Sequence, residues 1–256
     1  KYWERDKKMK RIRLETKDIC KYYAGELIIK NINITLRENE LVSLLGVSGI
    51  GKSTLFNVIA GVTKPDKGQV LLDGHDITGQ AGKISYMQQK DLLQAHLKVL
   101  DNVALPLFIR GMNKHKARLE ALKYFEDFGI AGTQDKYPSQ LSGGMRQRAA
   151  LLRTYLFSKD IALFDEPFSA LDAITKRAMH RWYLALMERI NMAALFITHD
   201  IDEAILLSDR IYIMTGPPGE ITAEITIDQP RPRAGEFLVS ESFLNYKRKI
   251  TELLAL

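Results

Sequence analysis

Alternating and continuous apolar stretches divide the chain into segments of different period. From Ile12 to Leu36 the pattern is β-like: Ile32, Ile34 and Leu36 alternate with Asn33 and Thr35, as in a strand with one wet face. Ala24-Gly25 reads as the turn between two strands, directly after Tyr22 and Tyr23. Leu41-Val42-Ser43-Leu44-Leu45 is a short apolar run suited to a strand buried on both faces. Leu55, Phe56 and Ile59 then recur at helical spacing, and Gly61 supplies a stop. A turn signal at Lys64-Pro65-Asp66-Lys67-Gly68 precedes short strands at 69–72 and 84–87, with 76–82 read as loop. Residues 91–158 change to a helical period, over 97–109, 116–128 and 145–155, punctuated by Gly111, Gly129 and Gly132. This segment reads as a helical subdomain inserted into an α/β core.

Beyond it, Ile161-Ala162-Leu163-Phe164 and residues 193–197 read as buried strands. Between them a long helix carries Ile174, Ala178, Trp182, Leu186 and Ile190 every fourth residue. A helix at 202–207, a strand at 210–214 and the turn Gly216-Pro217-Pro218-Gly219 follow, and Ile221, Ala223, Ile225 and Ile227 alternate as an edge strand. Gln229-Pro230-Arg231-Pro232-Arg233 reads as an extended linker. Phe243, Tyr246, Ile250, Leu253 and Leu254 lie on one face of a closing helix, placed to pack on the body.

Chemistry enters between the apolar run at 41–45 and the helix after it. Gly46-Val47-Ser48-Gly49-Ile50-Gly51-Lys52-Ser53-Thr54 fits G-x-x-x-x-G-K-[ST], and strand, glycine loop, helix is the context that this phosphate-cradling loop requires. Glycines let the backbone turn its N–H groups inward, and the helix start adds about half a positive charge. Lys52 would reach β- and γ-phosphates, and the Ser53 hydroxyl would help hold Mg²⁺.

Composition narrows the class. At 256 residues the chain can bury a substantial core, and no apolar run approaches the eighteen or so residues of a membrane-spanning helix. No signal-peptide pattern stands at residue 1, and Met9 is a candidate native start. The single cysteine, Cys20, excludes an internal disulfide framework and a multi-cysteine zinc site. Residues 1–13 hold seven basic side chains against Glu4 and Asp6, a net +5 out of the chain's +6. Positive charge confined to one end, rather than spread over a folded face, argues against nucleic-acid binding.

Two further stretches carry chemistry. Asp165 follows four apolar residues and so emerges at the C-terminal end of a buried strand, where open α/β sheets bind ligands. A carboxylate there can hold Mg²⁺, and the adjacent Glu166 can polarise an attacking water. In Leu141-Ser142-Gly143-Gly144-Met145-Arg146-Gln147-Arg148 a serine and two glycines open a helix, a second anion-binding start separate from the first.

With these residues in view, the chain resembles the nucleotide-binding subunit of an ABC transporter from about Ile12 to its last residue. Gly46 to Thr54 matches that family's Walker A, and Ile161 to Glu166 its Walker B with catalytic glutamate. Leu141 to Gln147 matches the signature motif, including Ser142, Gly143 and Gly144. Gln89 matches the Q-loop glutamine, Asp172 the D-loop aspartate and His199 the switch histidine. Tyr23 stands where the family places an aromatic that stacks on adenine, with Tyr22 as the alternative.

The resemblance implies catalytic roles for Glu166, His199 and Gln89, and nucleotide contacts from Tyr23, Gly46, Ser48, Gly49, Gly51, Lys52, Ser53, Thr54, Ser142, Gly143, Gly144 and Asp172. Mg²⁺ would be held by Ser53, Gln89 and Asp165. It further implies a RecA-like P-loop core with an antiparallel β subdomain and an inserted helical subdomain. The expected division is a basic segment at 1–11, the ATPase domain at 12–228 with helices at about 91–158, and a linker and helix at 229–256. The implied partners are a second ATPase subunit bound head to tail, an integral permease reached through its coupling helix and, indirectly, a solute-binding protein. The implied place is the cytoplasmic face of the inner membrane.

Met87 to Leu93, Leu100-Asp101-Asn102-Val103 and the Arg-Pro-Arg tail resemble importers of nitrate, sulfonate, taurine and thiamine-precursor pyrimidines. Gln88 departs from a frequent proline of these relatives, and Ala95-His96 from a frequent Pro-Trp, both in the region implied to face the permease. No regulatory domain of the maltose-importer kind is expected after Leu256. An exporter or lipoprotein-release ATPase is the alternative within the family. A soluble ABC ATPase of DNA repair or translation would carry coiled-coil or zinc insertions, or two cassettes, and is the weaker one.

Overall fold

A computed structural model of the chain describes residues 10–233 and 235–254. Strands β1 (Ile12–Tyr23) and β2 (Glu26–Arg37) form a hairpin. Its turn, Ala24-Gly25, has positive φ at both residues (50° and 84°), as a tight two-residue hairpin turn demands. Then come β3 (Leu41–Leu45), α1 (Lys52–Ile59), β4 (Lys67–Leu72) and β5 (His75–Asp76). The middle of the chain supplies β6 (Ser85–Met87), α2 (Val99–Ile109), α3 (Lys114–Leu122), α4 (Gly143–Phe157), β7 (Ile161–Asp165) and α5 (Ala173–Ile190). The last part gives β8 (Ala193–Thr198), α6 (Ile201–Leu207), β9 (Arg210–Thr215), β10 (Glu220–Thr226) and α7 (Glu241–Leu253).

These elements gather into two compact units: the described residues up to Lys83 with those from Met192 onward, and Ile84–Asn191. In the first, β2-β1-β4-β5 form an antiparallel sheet, while β10-β9-β3-β8 are neighbours in a second sheet. β3 runs parallel to both β8 and β9, and Leu45 pairs with Thr198 on one side and Ile213 on the other. The C-terminal ends of β3 and β8 therefore lie level, and β9 runs two residues further. β3 and β8 are buried at every position, as strands in the middle of a parallel sheet must be. On α7, Phe243 and Ile250 are buried, and Tyr246, Leu253 and Leu254 pack on the same cluster as Ala204 and Ile205 of α6. The closing helix thus packs on the body, as its periodicity predicted.

The second unit holds the parallel pair β6 and β7, with Met87 opposite Phe164, and the helical stretch between them. An aromatic cluster forms its interior: Phe128 lies 5.6 Å from Tyr155 and 6.1 Å from Trp182, ring centre to ring centre. The Arg148 guanidinium covers the Trp182 ring at 4.6 Å. The architecture is α/β with an antiparallel sheet and a helical portion, as the resemblance implied.

Several local expectations are corrected. β4 begins at Lys67, within the expected turn, and β5 takes in Asp76, read as loop, because Leu71 and Leu72 find antiparallel partners in Asp76 and His75. α3 ends at Leu122, short of Phe128; Tyr124 and Phe125 donate to carbonyls three residues back, and these turns still bury Phe125 and Phe128. The long helix is present as α5, and the every-fourth-residue row that marked it is not its buried face: of the five members only Leu186 is buried, and Ile174 is 84% exposed. Four residues overshoot one 3.6-residue turn, so four such steps wind the row about 160° around the helix. The buried face runs instead through Met179, Tyr183 and Met187. Of the basic N-terminal segment, residues 1–9 lie outside the described residues. Its end is held, with Arg13 2.7 Å and Arg11 3.4 Å from the Asp73 carboxylate.

A buried ionic cluster joins the two sheets of the first unit. Arg210, at the start of β9, is 5% exposed and donates to Glu40 (3.1 Å), Glu224 (2.8 Å) and the Thr35 carbonyl (3.4 Å), and also to the Tyr212 hydroxyl. Burial works against its charge, but the hydrogen bond to Glu224 and the charge of Glu40 outweigh it and hold the guanidinium above its ordinary pKa. Glu40 is itself 5% exposed and immediately precedes β3. Arg210→Ala would leave that carboxylate buried without its closest charge partner. It should lower unfolding free energy by about 3–5 kcal/mol in urea titrations, the usual cost of breaking a buried pair from one side.

Candidate functional site

In the first unit the glycine loop begins where β3 ends. Gly46 is pressed against β9: a Cβ there would stand 2.5 Å from the Met214 carbonyl oxygen. Gly51 has φ 105°, and its Cβ would stand 2.6 Å from Ile29 Cγ2. Both positions therefore admit only glycine, whereas Gly49 needs it for its φ of 83° alone. Val47, Ser48 and Gly49 are exposed, and Ile50 is buried beneath them as the loop's anchor. Lys52 is 5% exposed, and its ammonium donates to the carbonyls of Gly46 (2.7 Å) and Val47 (2.8 Å), closing the loop over itself. Ser53 and Thr54 stand in the first turn of α1 with Ser53 exposed.

His199 follows Thr198, the residue paired with Leu45, so its exposed side chain and the glycine loop leave the same edge of one parallel sheet. Asp200 next to it caps α6, its carboxylate accepting from the Glu203 N–H at 3.0 Å. Tyr22 and Tyr23 end β1 with 38% and 45% exposure, and the Lys21 ammonium lies 5.4 Å from the Tyr23 ring centre. Both remain available to an aromatic ligand.

The second unit brings Gln89, Asp165 and Glu166 together for the same topological reason. β6 and β7 are parallel and level, so the residues after Met87 and Phe164 emerge side by side. The Gln89 amide donates to a Glu166 carboxylate oxygen at 3.0 Å. Glu166 has φ 46°, a left-handed conformation that non-glycine residues adopt at a cost of order 1 kcal/mol or more and that clusters at functional sites. Asp165 is 6% exposed and accepts a hydrogen bond from the Tyr86 hydroxyl at 3.3 Å. Burial, then the Asp165 charge, raises the Tyr86 pKa well above that of an ordinary phenol, so Tyr86 stays a donor. Gln89 and Asp165 in this unit carry amide and carboxylate oxygens, and Ser53 in the first unit a hydroxyl, each a hard donor of the kind that suits Mg²⁺.

Ser142 caps α4, its hydroxyl accepting from the Met145 N–H at 3.3 Å, and Gly143 and Gly144 form the first turn. Asp172 caps α5, accepting from the N–H groups of Ile174 and Thr175 at 3.1 Å; hydrogen bonding to Thr175 lowers its pKa. Several supporting residues were not singled out in the sequence. Arg153 donates to the carbonyls of Asp91 and Leu92 (2.8 Å to Leu92), and Arg146 lies 3.3 Å from the Asp91 carboxylate, so α4 grips the segment just after Gln89. The Gln147 amide donates to the Pro167 carbonyl beside Glu166. Arg146 and Gln147 lie within the stretch that resembles the signature motif, but neither a motif nor spacing says which backbone a side chain reaches.

Comparison with known proteins gives the family. The ABC transporter family model matches residues 29–169. A formylaminopyrimidine import ATP-binding protein of Halalkalibacterium halodurans is 46% identical over 197 residues, 77% of each chain. A nitrate import ATP-binding protein of a Synechocystis species is 34% identical over 252 residues, 94% of each. A solved dimeric ATP-binding cassette, in a post-hydrolysis state with ADP and Pi, superposes with a TM-score of 0.72 at 30% identity, covering 85% of this chain and 100% of that one. The chain belongs to the ABC transporter family. It is an ATPase of that family, coupled to transport across a membrane.

Gly51→Ala tests the loop. It forces a Cβ into Ile29 and an alanine to a strongly positive φ, so ATP should no longer raise the melting temperature of the variant. Gly49→Ala, with open space at its Cβ, should keep a larger share of that response.

Proposed function

We propose that the chain is the ATP-hydrolysing subunit of an importer for a small organic or anionic solute, acting from the cytoplasmic face of the membrane on an integral permease. Similarity to a nitrate importer subunit along nearly the whole chain supports the importer class, and the pyrimidine-precursor and sulfonate or taurine classes stand beside it. Import by such a system also calls for a solute-binding protein, which this subunit would meet only through the permease.

The observation that carries the catalytic reading is Glu166: a strained residue at a strand end, after a buried aspartate, held by Gln89. Glu166 takes the role of the base that orients and deprotonates the attacking water, with Gln89 fixing the direction of its acceptor oxygens. Lys52 and the loop N–H groups from Gly46 to Thr54 hold the phosphates, and Ser48 and Thr54 add hydroxyl donors. Tyr23 stacks on the base, with Tyr22 as the alternative. His199 faces the γ-phosphate, where a donor stabilises developing charge. Mg²⁺, held by Ser53 and Asp165 with Gln89, would neutralise charge on the β- and γ-phosphates.

Ser142, Gly143 and Gly144 act on the nucleotide of a second copy, and Asp172 lies at the same junction. A Cβ added at Gly143 or Gly144 would meet only ordinary contacts, at 3.7 Å and 3.4 Å, and neither residue has positive φ. Nothing within the described residues requires glycine there, whereas close approach of an outside phosphate to the helix start would.

Glu166→Gln should bind ATP but hydrolyse it about 10²–10⁴-fold more slowly, the usual worth of a positioned acid–base group. Single-turnover assays beside equilibrium ATP binding read both, and undiminished turnover would remove Glu166 from the mechanism. Sharing of sites is read by mixing Lys52→Ala with Ser142→Arg chains, each nearly inactive alone. A mixed dimer has one site with both lesions and one with neither, so activity should partly recover. Hydrolysis that stays linear in protein concentration down to a demonstrated monomer would reject shared sites.

A further inference from the structure

The tail read from sequence as a linker is fastened to one element. Arg233 is 6% exposed, and its guanidinium donates to the carbonyls of Ile205 (2.9 Å), Leu206 (3.0 Å) and Ser208 (2.7 Å), at the C-terminal end of α6. It also donates to the Gln229 carbonyl at 2.8 Å and 3.0 Å. Burial lowers its pKa to about 10, which leaves it charged at neutral pH. Two residues earlier, Arg231 makes a paired contact with the Asp209 carboxylate (2.8 and 3.0 Å), and Asp209 in turn accepts from the Leu41 N–H at the foot of β3. Lys247 of α7 adds an ion pair to Asp202 of α6 at 2.7 Å.

α6 has seven residues. A helix of that length is not stable by itself, because nucleation costs more than so few hydrogen bonds return. Its last carbonyls have no partner within the helix and need one from outside. A guanidinium placed on them supplies both hydrogen bonds and the charge that the negative end of the helix dipole favours. The other end of α6 is capped by Asp200, the residue after His199. β8 delivers His199 to the sheet edge, and α6, which begins directly after its cap Asp200, bounds His199 on its other side.

We propose that Arg233 is a positioning residue for ATP hydrolysis: by holding the C-terminal carbonyls of α6, it fixes His199 at the other end. The proposal rests on the reading of His199 as a residue facing the γ-phosphate. It makes the Gln229–Arg233 tail part of the working ATPase rather than a spacer. Ground-state binding of ATP depends on the glycine loop and a tyrosine, so displacement of α6 acts on turnover and not on affinity.

The test is a double-mutant cycle on the full chain, with Arg233→Ala, His199→Ala and both together. Arg233→Ala should lower kcat about 10–100-fold, the scale of a misplacement near 1 Å made far from the chemistry, while KM for ATP stays within about twofold. In the His199→Ala background the same change should lower kcat by less than about twofold, because residues acting as a unit are not additive. Arg233→Lys, which keeps the charge and can still reach one or two carbonyls, should fall between wild type and alanine, and it carries the cycle if Arg233→Ala does not fold. Equal losses in both backgrounds, or no loss in either, would overturn the proposal. If His199→Ala alone leaves kcat unchanged, the assignment of His199 fails and the proposal fails with it, an outcome distinct from an effective His199 with an inert Arg233.

Discussion

The level ends of parallel, fully buried strands govern the rest of the protein. β3 and β8 are covered on both faces, so their side chains can do nothing but pack, and polar chemistry is forced to the first residue beyond each strand. Pairing of Leu45 with Thr198 brings the glycine loop and His199 to one edge. The same rule in the other unit, with Met87 opposite Phe164, brings Gln89 beside Asp165 and Glu166. A slip of register would separate these groups without changing any of them.

Holding reactive groups at strand ends requires restraint from behind, and the structure supplies it largely through guanidinium groups on carbonyls and carboxylates. Arg153 and Arg146 hold Asp91 and Leu92 from α4, and Leu92 is kept at φ 47°. Arg210 anchors Glu40 at the foot of β3, and Arg233 caps α6. The planar, always-charged fork of arginine suits this use, since it reaches several acceptors at once without side-chain rearrangement. These contacts tie the strand ends and short helices to segments distant in the sequence.

The ATP machinery says little about the solute. The residues proposed for it would recognise phosphates and a base, which importers of different solutes have in common.

The sequence by itself determined the strand–loop–helix of the phosphate site, the Asp165-Glu166 strand end, the Ser142 helix start and the hairpin turn at Ala24-Gly25. These are local features, set by periodicity, by glycine conformation and by the caps that short-range hydrogen bonding selects. The tertiary structure decided what spacing alone does not encode. The buried face of α5 lies on Met179, Tyr183 and Met187 because neighbours, not the every-fourth-residue row, chose it. α3 stops at Leu122 because turns suffice to bury Phe125 and Phe128. Gln89 meets Glu166 across 77 residues of chain, and Arg233 meets the end of α6 across 25 to 28, through contacts that local pattern carries no trace of. Long side chains reach backbone acceptors far along the chain, and only the packed structure names those acceptors.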